Sequence, residues 1–160
     1  MSVRYLGVSL LLTAVGLWCV YYVYRTRETA RKMTAWRDLL CYIREQISCF
    51  GTPLGQILAT ADALWLRTIG GEAALQEREM RTLLSNFASQ GLPPAYANLL
   101  YSLSGEIGTV WRQEQLLRLD HYIAAMEKER SAFVAAMGTR VRLHLTLWSC
   151  GTLGMLLLLW

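Results

Sequence analysis

Two pairs of glutamates, two histidines and four cysteines are the residues whose chemistry could support catalysis or metal binding. Paired carboxylates serve as general acid and general base when both reach one substrate. Glu77 and Glu79, like Glu127 and Glu129, are two residues apart, and this spacing points the two side chains to different sides of a helix. We therefore predict that both glutamate pairs are solvated rather than catalytic.

The histidines and cysteines lack the spacing of a metal or nucleophile site. His121 and His144 are 23 residues apart and form neither an HExxH nor an HxxxH pair. The four cysteines contain no CxxC motif: Cys19, Cys41, Cys49 and Cys150. The phosphate-binding patterns GxxxxGKS/T and GxGxxG are also absent. The sequence predicts no catalytic residue, no metal site and no cofactor, so the protein is expected not to be an enzyme.

Charged residues are distributed unevenly, and all of them except Arg4 lie between Arg25 and Arg142. Residues 5–24 and 143–160 are thus uncharged runs of 20 and 18 residues. As helices they would reach about 30 and 27 Å, close to the hydrocarbon thickness of a bilayer. We predict an all-α integral membrane protein, with transmembrane helices in 1–24 and 143–160 flanking a helical bundle domain in 25–142.

Each uncharged run has an alternative interpretation. The first could be a cleaved signal peptide, although its end at Tyr21 to Tyr24 offers no small-x-small cleavage site. The second contains His144 and three hydroxyl residues and could be a buried core helix. A membrane-spanning helix is the preferred interpretation of both.

Basic residues collect beside both predicted spans. Five follow the first span and four precede the second, against one glutamate at each place. Lys and Arg beside a span stay on the cytoplasmic side, so 25–142 should be cytoplasmic and both termini should lie across the membrane. The residues predicted at the membrane interface are Arg25, Arg27, Arg31, Lys32, Arg140 and Arg142.

The formal net charge of +4 could indicate a nucleic-acid partner, but the position of the charge argues against one. From Asp38 to Glu127 there are six basic and ten acidic residues, so this body of the middle segment carries a net charge of −4. A nucleic-acid surface needs a basic stripe interleaved with aromatic residues. We expect no nucleic-acid partner, and we expect the membrane-proximal basic residues to attract anionic lipid head groups.

Apolar periodicity predicts two long helices in the middle segment. A stripe spaced by three and four residues runs over 33–50 and stops at Gly51, and a second runs over 116–137. Arg130 is the one charged member of the second stripe. Its side chain either extends out of the seam or pairs with an acid on a neighbouring helix.

Shorter helices are predicted between the long ones. Thr52 and Pro53 supply an N-cap hydroxyl and a first-turn proline for a helix that reaches about Arg67. The segments expected after it are a break at Gly70-Gly71, a third helix opened by Glu72, Glu77 and Glu79, a fourth helix over 95–104 and a loop at 105–108. Five aromatic residues must also be placed, and any that are exposed would mark an interaction surface: Trp36, Trp65, Tyr96, Tyr101 and Trp111.

The order of these parts resembles the stage III sporulation protein AB family of endospore-forming bacteria. The residues that carry the resemblance are Leu39-Leu40 with Ile43, Glu45 and Ile47, then Thr52-Pro53-Leu54, and Gly105-Glu106-Ile107-Gly108 with Gln115. The chain departs from the family pattern at Cys49-Phe50-Gly51, where a tyrosine and glycine are usual, and at Val110-Trp111, where an aspartate is usual. It therefore looks like a divergent member.

The resemblance implies a scaffold of the channel complex between mother cell and forespore, on the mother-cell side in the outer forespore membrane. The family is similar to the platform proteins of type II secretion and type IV pilus machines. By that likeness the chain would dock a cytoplasmic ATPase, stage III sporulation protein AA, and contact other stage III sporulation membrane proteins. Glu72, Glu77 and Glu79 are the predicted docking residues, and self-association is a further expectation.

A second class of function is also compatible with the sequence. A membrane-tethered helical regulator, or a lipid-surface module, would use the basic residues beside the spans instead of a protein partner. Such a module should bind anionic vesicles through residues 25–37 alone, whereas the scaffold should need the acidic body.

Overall fold

The structure is a computed structural model that describes the backbone of residues 2–51, 53–108 and 111–159. Side chains are described for all of these except 2–6, 8, 11–12, 140, 144–145, 152–153 and 155–159. Within this part of the chain all regular structure is helical, which confirms the predicted all-α class. The helices are α1 Ser2–Phe50, α2 Leu54–Thr60, α3 Ala63–Gln76, α4 Met80–Phe87, α5 Pro94–Glu106 and α6 Arg112–Leu159.

The chain divides into two compact units. The central unit comprises Thr29–Ala132, and the terminal unit comprises Met1–Glu28 together with Phe133–Trp160. Helices α1 and α6 contribute residues to both units, whereas α2 to α5 belong to the central unit.

The hydrophobic core lies in the central unit and is built on the predicted apolar stripe of α1. Met33, Trp36, Leu40, Ile43 and Ile47 are all buried, as the three-and-four spacing predicts. From the second stripe, Leu119 and Met126 on α6 are buried. The short helices add further core residues, including Leu58, Leu66, Leu83, Leu84, Phe87 and Leu100.

Three helices of the central unit end at a glycine in the left-handed region of backbone space. Gly51 follows α1 with φ +63°, Gly91 lies beyond the end of α4 with φ +74°, and Gly108 follows the C-cap of α5 with φ +77°. A glycine takes this conformation without the steric penalty that a Cβ brings. The predicted stops at Gly51 and Gly91 are confirmed.

A basic side chain from another helix donates a hydrogen bond to the carbonyls at each of these three ends. The donors and acceptors are Arg112 Nη2 to Ser48 O at 2.6 Å, Lys32 Nζ to Gln90 O at 3.4 Å, and Arg81 Nε to Ser104 O at 3.0 Å. The last carbonyls of a helix lack intrahelical partners and carry the negative end of its dipole. The two arginine bonds therefore cap α1 and α5, whereas Lys32 binds a carbonyl of the turn that follows α4. All three bonds join neighbouring helices or turns.

The prediction of one continuous helix to Arg67 was wrong. The chain leaves the helix at Ala61 and starts α3 at Ala63, with Asp62 as N-cap. The Asp62 carboxylate accepts a hydrogen bond from the Leu64 N–H at 2.8 Å. An aspartate bonded in this way opens a new helix, and it interrupts an apolar stripe that would otherwise continue.

The glycine pair at Gly70-Gly71 kinks α3 but does not end it. Gly70 has φ −144° and Gly71 has φ +68°, and helical structure resumes on both sides. A Cβ on Gly70 would lie 2.2 Å from Cδ1 of the Phe87 ring. The absence of a side chain at Gly70 therefore lets the α4 ring pack against the kink.

The expectation that Glu72, Glu77 and Glu79 open a helix is confirmed for Glu79, which is the N-cap of α4, the helix that buries Leu83, Leu84 and Phe87. It was wrong for Glu72, which lies inside α3, and for Glu77, which is the C-cap of α3. The reason is the kink, because a helix that continues past Gly71 carries Glu72 and Glu77 within it or to its end.

The terminal unit differs from the central unit because its described large apolar side chains are not buried. None of its described side chains is buried, and many large apolar ones are exposed: Leu10, Leu17, Trp18, Val20, Tyr21, Tyr24, Val134, Leu143 and Leu147. Within the described part of the chain, no helix has the length and apolarity together that a membrane crossing requires.

Candidate functional site

Pro53 and Leu54 of the Thr-Pro-Leu segment form the start of α2, and Thr52, the predicted N-cap, lies outside the described residues. Pro53 is the N-cap instead of the first helical residue, so α2 begins one residue later than predicted. The Pro53 carbonyl accepts a hydrogen bond from the Gln56 N–H at 2.9 Å. Leu54 is half-buried and faces Gly108, where an added Cβ would lie 3.3 Å from Leu54 Cδ1. Two of the three segments that carry the family resemblance therefore meet in the central unit.

The predicted loop at 105–108 is mostly a helix end. Gly105 lies in the last turn of α5, and Ile107 is the C-cap, whose N–H bonds to Leu103 O at 2.9 Å. Ile107 is buried, and Gly108 makes the left-handed turn that follows. Since Ile107 anchors to the core, α5 keeps its hydrogen bonding up to this point and the loop is shorter than expected.

Gln115 lies against this helix end. Its Nε2 is buried and has no hydrogen-bond partner among the described residues. The amide lines a cavity of about 10 Å³ together with Leu103, Glu106, Ile107, Arg118 and Leu119. That volume admits roughly one water molecule, so the cavity is too small for a substrate or cofactor.

The three predicted docking glutamates each have a local partner. Glu72 pairs with Arg67 at 3.2 Å. The Glu77 Oε1 accepts hydrogen bonds from the backbone N–H groups of Arg78 and Glu79 at 3.2 and 3.4 Å. The Glu79 Oε2 accepts one from the Thr82 hydroxyl at 2.9 Å. These bonds shape the turn between α3 and α4, while the carboxylates stay accessible to solvent.

The basic residues predicted at the membrane interface differ in their surroundings. Arg27, Arg31 and Arg142 are exposed, and so is Arg25. Lys32 is half-buried and donates a hydrogen bond to the Gln90 carbonyl in the turn after α4, so it has a structural role. The side chain of Arg140 lies outside the described residues.

Glu127 joins two arginines of the long helices. Its carboxylate contacts Arg130 one turn along α6 at 2.7 Å and Arg37 of α1 at 3.2 Å, and Arg37 also pairs with Asp38 at 2.6 Å. Hydrogen bonds from Arg130 and Arg37 lower the pKa of Glu127 to about 2, against an ordinary value of 4.5. The cluster links α1 to α6 through the Glu127 carboxylate.

Neither predicted interpretation of Arg130, extension out of the seam or pairing with an acid on a neighbouring helix, is fully correct. It forms an ion pair, but with Glu127 of its own helix instead of an acid on a neighbouring one. The link to the neighbouring helix passes through the same carboxylate to Arg37. The spacing of three residues on α6 explains the difference, because it places Glu127 directly beside Arg130.

Other charges of the central unit are paired in the same manner. Arg44 of α1 bonds to Asp120 of α6 at 2.8 Å, and Arg118 bonds to Glu106 at 2.9 Å and to Glu114. Most of the basic residues between Asp38 and Glu127 thus make structural contacts.

The five aromatic residues have different environments. Trp36 and Tyr96 are buried, and the Tyr96 hydroxyl donates to Met33 O at 2.8 Å. Trp65 is half-buried and packs on Tyr42 with ring centroids 5.7 Å apart. Tyr101 is 42% exposed and Trp111 is 88% exposed. The interpretation that some of these rings lie on the surface is confirmed.

The described residues contain no group of three or more His, Cys, Asp or Glu side chains that could hold a metal ion. Comparisons with protein-family models, with curated proteins and with solved structures find no match to this chain. The resemblance to the sporulation family therefore stays a hypothesis.

Proposed function

We propose that this chain is a non-enzymatic membrane scaffold whose central unit docks a cytoplasmic ATPase. In this proposal residues 1–24 and 143–160 anchor the chain, and the central unit faces the cytoplasm. The family resemblance suggests the setting, which is the channel complex between mother cell and forespore, and it suggests stage III sporulation protein AA as the ATPase.

One observation supports the scaffold most directly, namely the contrast between the two units. The central unit has a buried core, whereas the terminal unit has no buried side chain among its described residues and exposes leucine, valine, tryptophan and tyrosine. Large exposed apolar surfaces are costly in water and are normally covered by lipid or protein. The uncharged sequence of both terminal runs and the basic residues that flank them favour lipid.

The contacts that charged side chains make between helices support a binding role for the central unit. The ion pairs at Glu127, Asp120 and Glu106 link helices, and Arg112 and Arg81 cap the ends of α1 and α5. A rigid helical unit of this kind can present a fixed surface to a partner. Other stage III sporulation membrane proteins and a second copy of the chain are further partners that the scaffold proposal allows.

The exposed side chains of Arg27 and Arg31 support the alternative function, which is a lipid-surface module. The experiment that separates the two functions measures association of the full chain, in detergent micelles, with the purified ATPase by biolayer interferometry. The scaffold requires saturable binding to the wild-type chain. A chain that binds no ATPase but selects anionic over neutral lipid would instead support the lipid-surface module.

The same experiment tests the predicted acidic residues. Charge reversal at Glu77 and Glu79 should slow association several-fold with little change in the dissociation rate, because surface charges act mainly on encounter. Glu72 is reversed in a separate variant, because it lies inside α3 and pairs with Arg67 there, whereas Glu77 and Glu79 lie in the turn between α3 and α4. Reversal of Glu45, an exposed acid of α1, is the matched control.

A further inference from the structure

The turn between α4 and α5, residues 89–93, is bound to the part of α1 where the central unit begins. Thr29 Oγ1 donates a hydrogen bond to Gly91 O at 3.1 Å, and Lys32 Nζ donates one to Gln90 O at 3.4 Å. A Cβ on Gly91 would lie 3.7 Å from Lys32 Nζ, so the lysine side chain lies directly against the turn. We call residues 89–93 the α4–α5 turn.

The order of contacts along α1 shows which part of the central unit lies nearest the first predicted span. Counted away from that span, the hydrogen-bonded partners are Gly91 at Thr29, Gln90 at Lys32, Tyr96 at Met33 and Thr60 at Tyr42. The α4–α5 turn thus contacts α1 at the positions closest in sequence to the span, whereas α5 and α2 contact it further along.

These positions lie within reach of lipid head groups. Thr29 follows the uncharged run 5–24 by five residues, which is about 7.5 Å of helix. The head-group layer extends about 5–7.5 Å beyond the hydrocarbon core on each side of a bilayer. In a bilayer that residues 5–24 span, a turn bound at Thr29 lies at the outer edge of this layer.

The α4–α5 turn brings no acid to the basic part of α1 that it contacts. Residues 82–105 contain no charged residue, and Glu28 is the one acid in residues 25–37. Lys32 bonds to a neutral carbonyl, so its charge is not neutralised there. Neither Lys32 nor the exposed Arg31 has an ion pair with any residue that the structure describes. Both cations are therefore able to attract the phosphate of an anionic lipid.

The acids of the neighbouring helices lie at the other end of the α4 and α5 pair. Arg81 Nε donates to Ser104 O at 3.0 Å, so the start of α4 lies beside the end of α5. Glu77 and Glu79 precede α4, and the α4–α5 turn follows it. An anionic membrane at the turn therefore approaches the end of this helix pair that carries no acid.

We propose that the α4–α5 turn lies against the head groups of the membrane, where Arg31 and Lys32 bind the phosphate of an anionic lipid. This inference rests on the proposed function for the membrane anchors. It adds a contact with lipid by a segment that lies about 60 residues after the first span in the sequence. A unit held at α1 and at the turn has a fixed orientation, with Glu77 and Glu79 at the end away from the lipid.

The test measures how close the turn is to lipid in vesicles of phosphatidylcholine and phosphatidylglycerol. The full chain carries serine at its four cysteine positions and a fluorescent maleimide at Ser89→Cys, an exposed position of the turn. Ser102→Cys is the matched control, because Ser102 is an exposed serine of α5 in the same uncharged stretch. A lipid with a nitroxide close to its head group should quench the Ser89→Cys label at least about threefold more than the control label.

The charge of the bound lipid is tested by moving the nitroxide from one lipid to the other. Quenching at Ser89→Cys should be several-fold stronger when phosphatidylglycerol carries the nitroxide than when the same fraction of phosphatidylcholine does. Arg31→Gln with Lys32→Gln should reduce this ratio by at least about half, and a glutamine at position 32 retains a donor for the Gln90 carbonyl.

Arg78→Gln is the control for these substitutions, because Arg78 is an exposed arginine between α3 and α4, and it should leave the ratio unchanged. Circular dichroism should show the same thermal transition for all variants. Equal quenching by the two nitroxide lipids, or a ratio that the double variant does not change, would overturn the assignment of Arg31 and Lys32 to lipid.

A label on Cys19 separates failure of the inference from failure of the anchors. Cys19 lies in the first proposed span, and its label should be quenched by both nitroxide lipids. If Cys19 is quenched and Ser89→Cys is quenched no more than Ser102→Cys, the turn is away from the membrane and only the inference fails. If the Cys19 label is not quenched, the proposed anchor fails and the inference fails with it. An unquenched Ser89→Cys label that the purified ATPase shields from aqueous iodide would identify a protein as the occupant instead.

Discussion

Glu127 is the residue whose electrostatics have the clearest consequence for stability. Its folded pKa of about 2 is below the ordinary 4.5, so the folded state binds fewer protons than the unfolded state between these values. The stabilisation is present above pH about 4.5 and is lost as the pH falls toward 2. Because the carboxylate is 41% exposed, solvent screening reduces its contribution to about 1 kcal/mol.

Glu127→Gln should therefore lower the free energy of unfolding by about 1 kcal/mol at pH 7 and have little further effect near pH 2. Urea unfolding of the central-unit signal, followed by circular dichroism at both pH values, measures this difference. Glu45→Gln is the control, because Glu45 is an exposed acid of the same unit and has no ion pair with any residue that the structure describes. An equal loss at both pH values would contradict the assignment of the pKa shift to the two arginines.

Tyr96 tests the buried hydrogen bonding of the core. Its side chain is fully buried, its hydroxyl donates to Met33 O at 2.8 Å, and burial raises the pKa of the phenol. Tyr96→Phe keeps the ring and removes the donor, so the free energy of unfolding should fall by about 1 kcal/mol. Tyr101→Phe, at an exposed position of the same helix, should change it by less than about 0.5 kcal/mol in the same urea titration. Equal effects of the two substitutions would show that the hydroxyl contributes nothing to stability.

The kink in helix α3 can be tested with two glycine substitutions, one at the kink and a control in helix α5. Gly70→Ala places a methyl group 2.2 Å from the Phe87 ring, and this overpacking should cost about 1–3 kcal/mol. Gly105→Ala, in the last turn of α5 with open space around it, should be neutral or stabilising by up to about 1 kcal/mol. Thermal unfolding of the two variants should shift in opposite directions or by clearly different amounts. Similar shifts would mean that Phe87 can move away from the kink.

The same elements show what the sequence could and could not predict. The stripe of α1 and the stops at Gly51 and Gly91 follow from local spacing and backbone chemistry, and both appear in the structure. The break at Asp62 could also have been predicted locally, because aspartate is a common N-cap residue. It was missed because apolar residues continue at helical spacing on both sides of Asp62.

The positions of the candidate site residues were harder to predict. Nothing in the order of residues indicates that Lys32 binds the turn after α4, or that Arg112 caps the end of α1. Such contacts join residues 58 and 64 positions apart, so they depend on how the helices pack and not on local pattern. The exposure of Phe50 was likewise missed, because spacing alone assigns it to the buried stripe.

At the scale of the whole molecule, the membrane anchors and the cytoplasmic position of the central unit can be tested with the chain's own cysteines. Cys19 and Cys150 lie in the proposed spans, and Cys49 lies in the central unit with its side chain exposed. Cys41 is a poorer reporter, because burial raises the pKa of its thiol and reduces the thiolate that reacts. Single-cysteine chains that retain Cys49, Cys19 or Cys150, with serine at the other three positions, separate the proposed compartments.

A membrane-impermeant maleimide should leave the Cys49 chain unlabelled in intact cells and label it once the cells are permeabilised. The Cys19 and Cys150 chains should resist the reagent under both conditions and react only when detergent dissolves the bilayer, because lipid excludes the charged reagent from a spanning helix. Labelling of Cys150 in permeabilised cells without detergent would remove the second anchor from the proposal. Labelling of Cys49 in intact cells would place the central unit across the membrane from the cytoplasmic ATPase, and the proposed docking function would then fail.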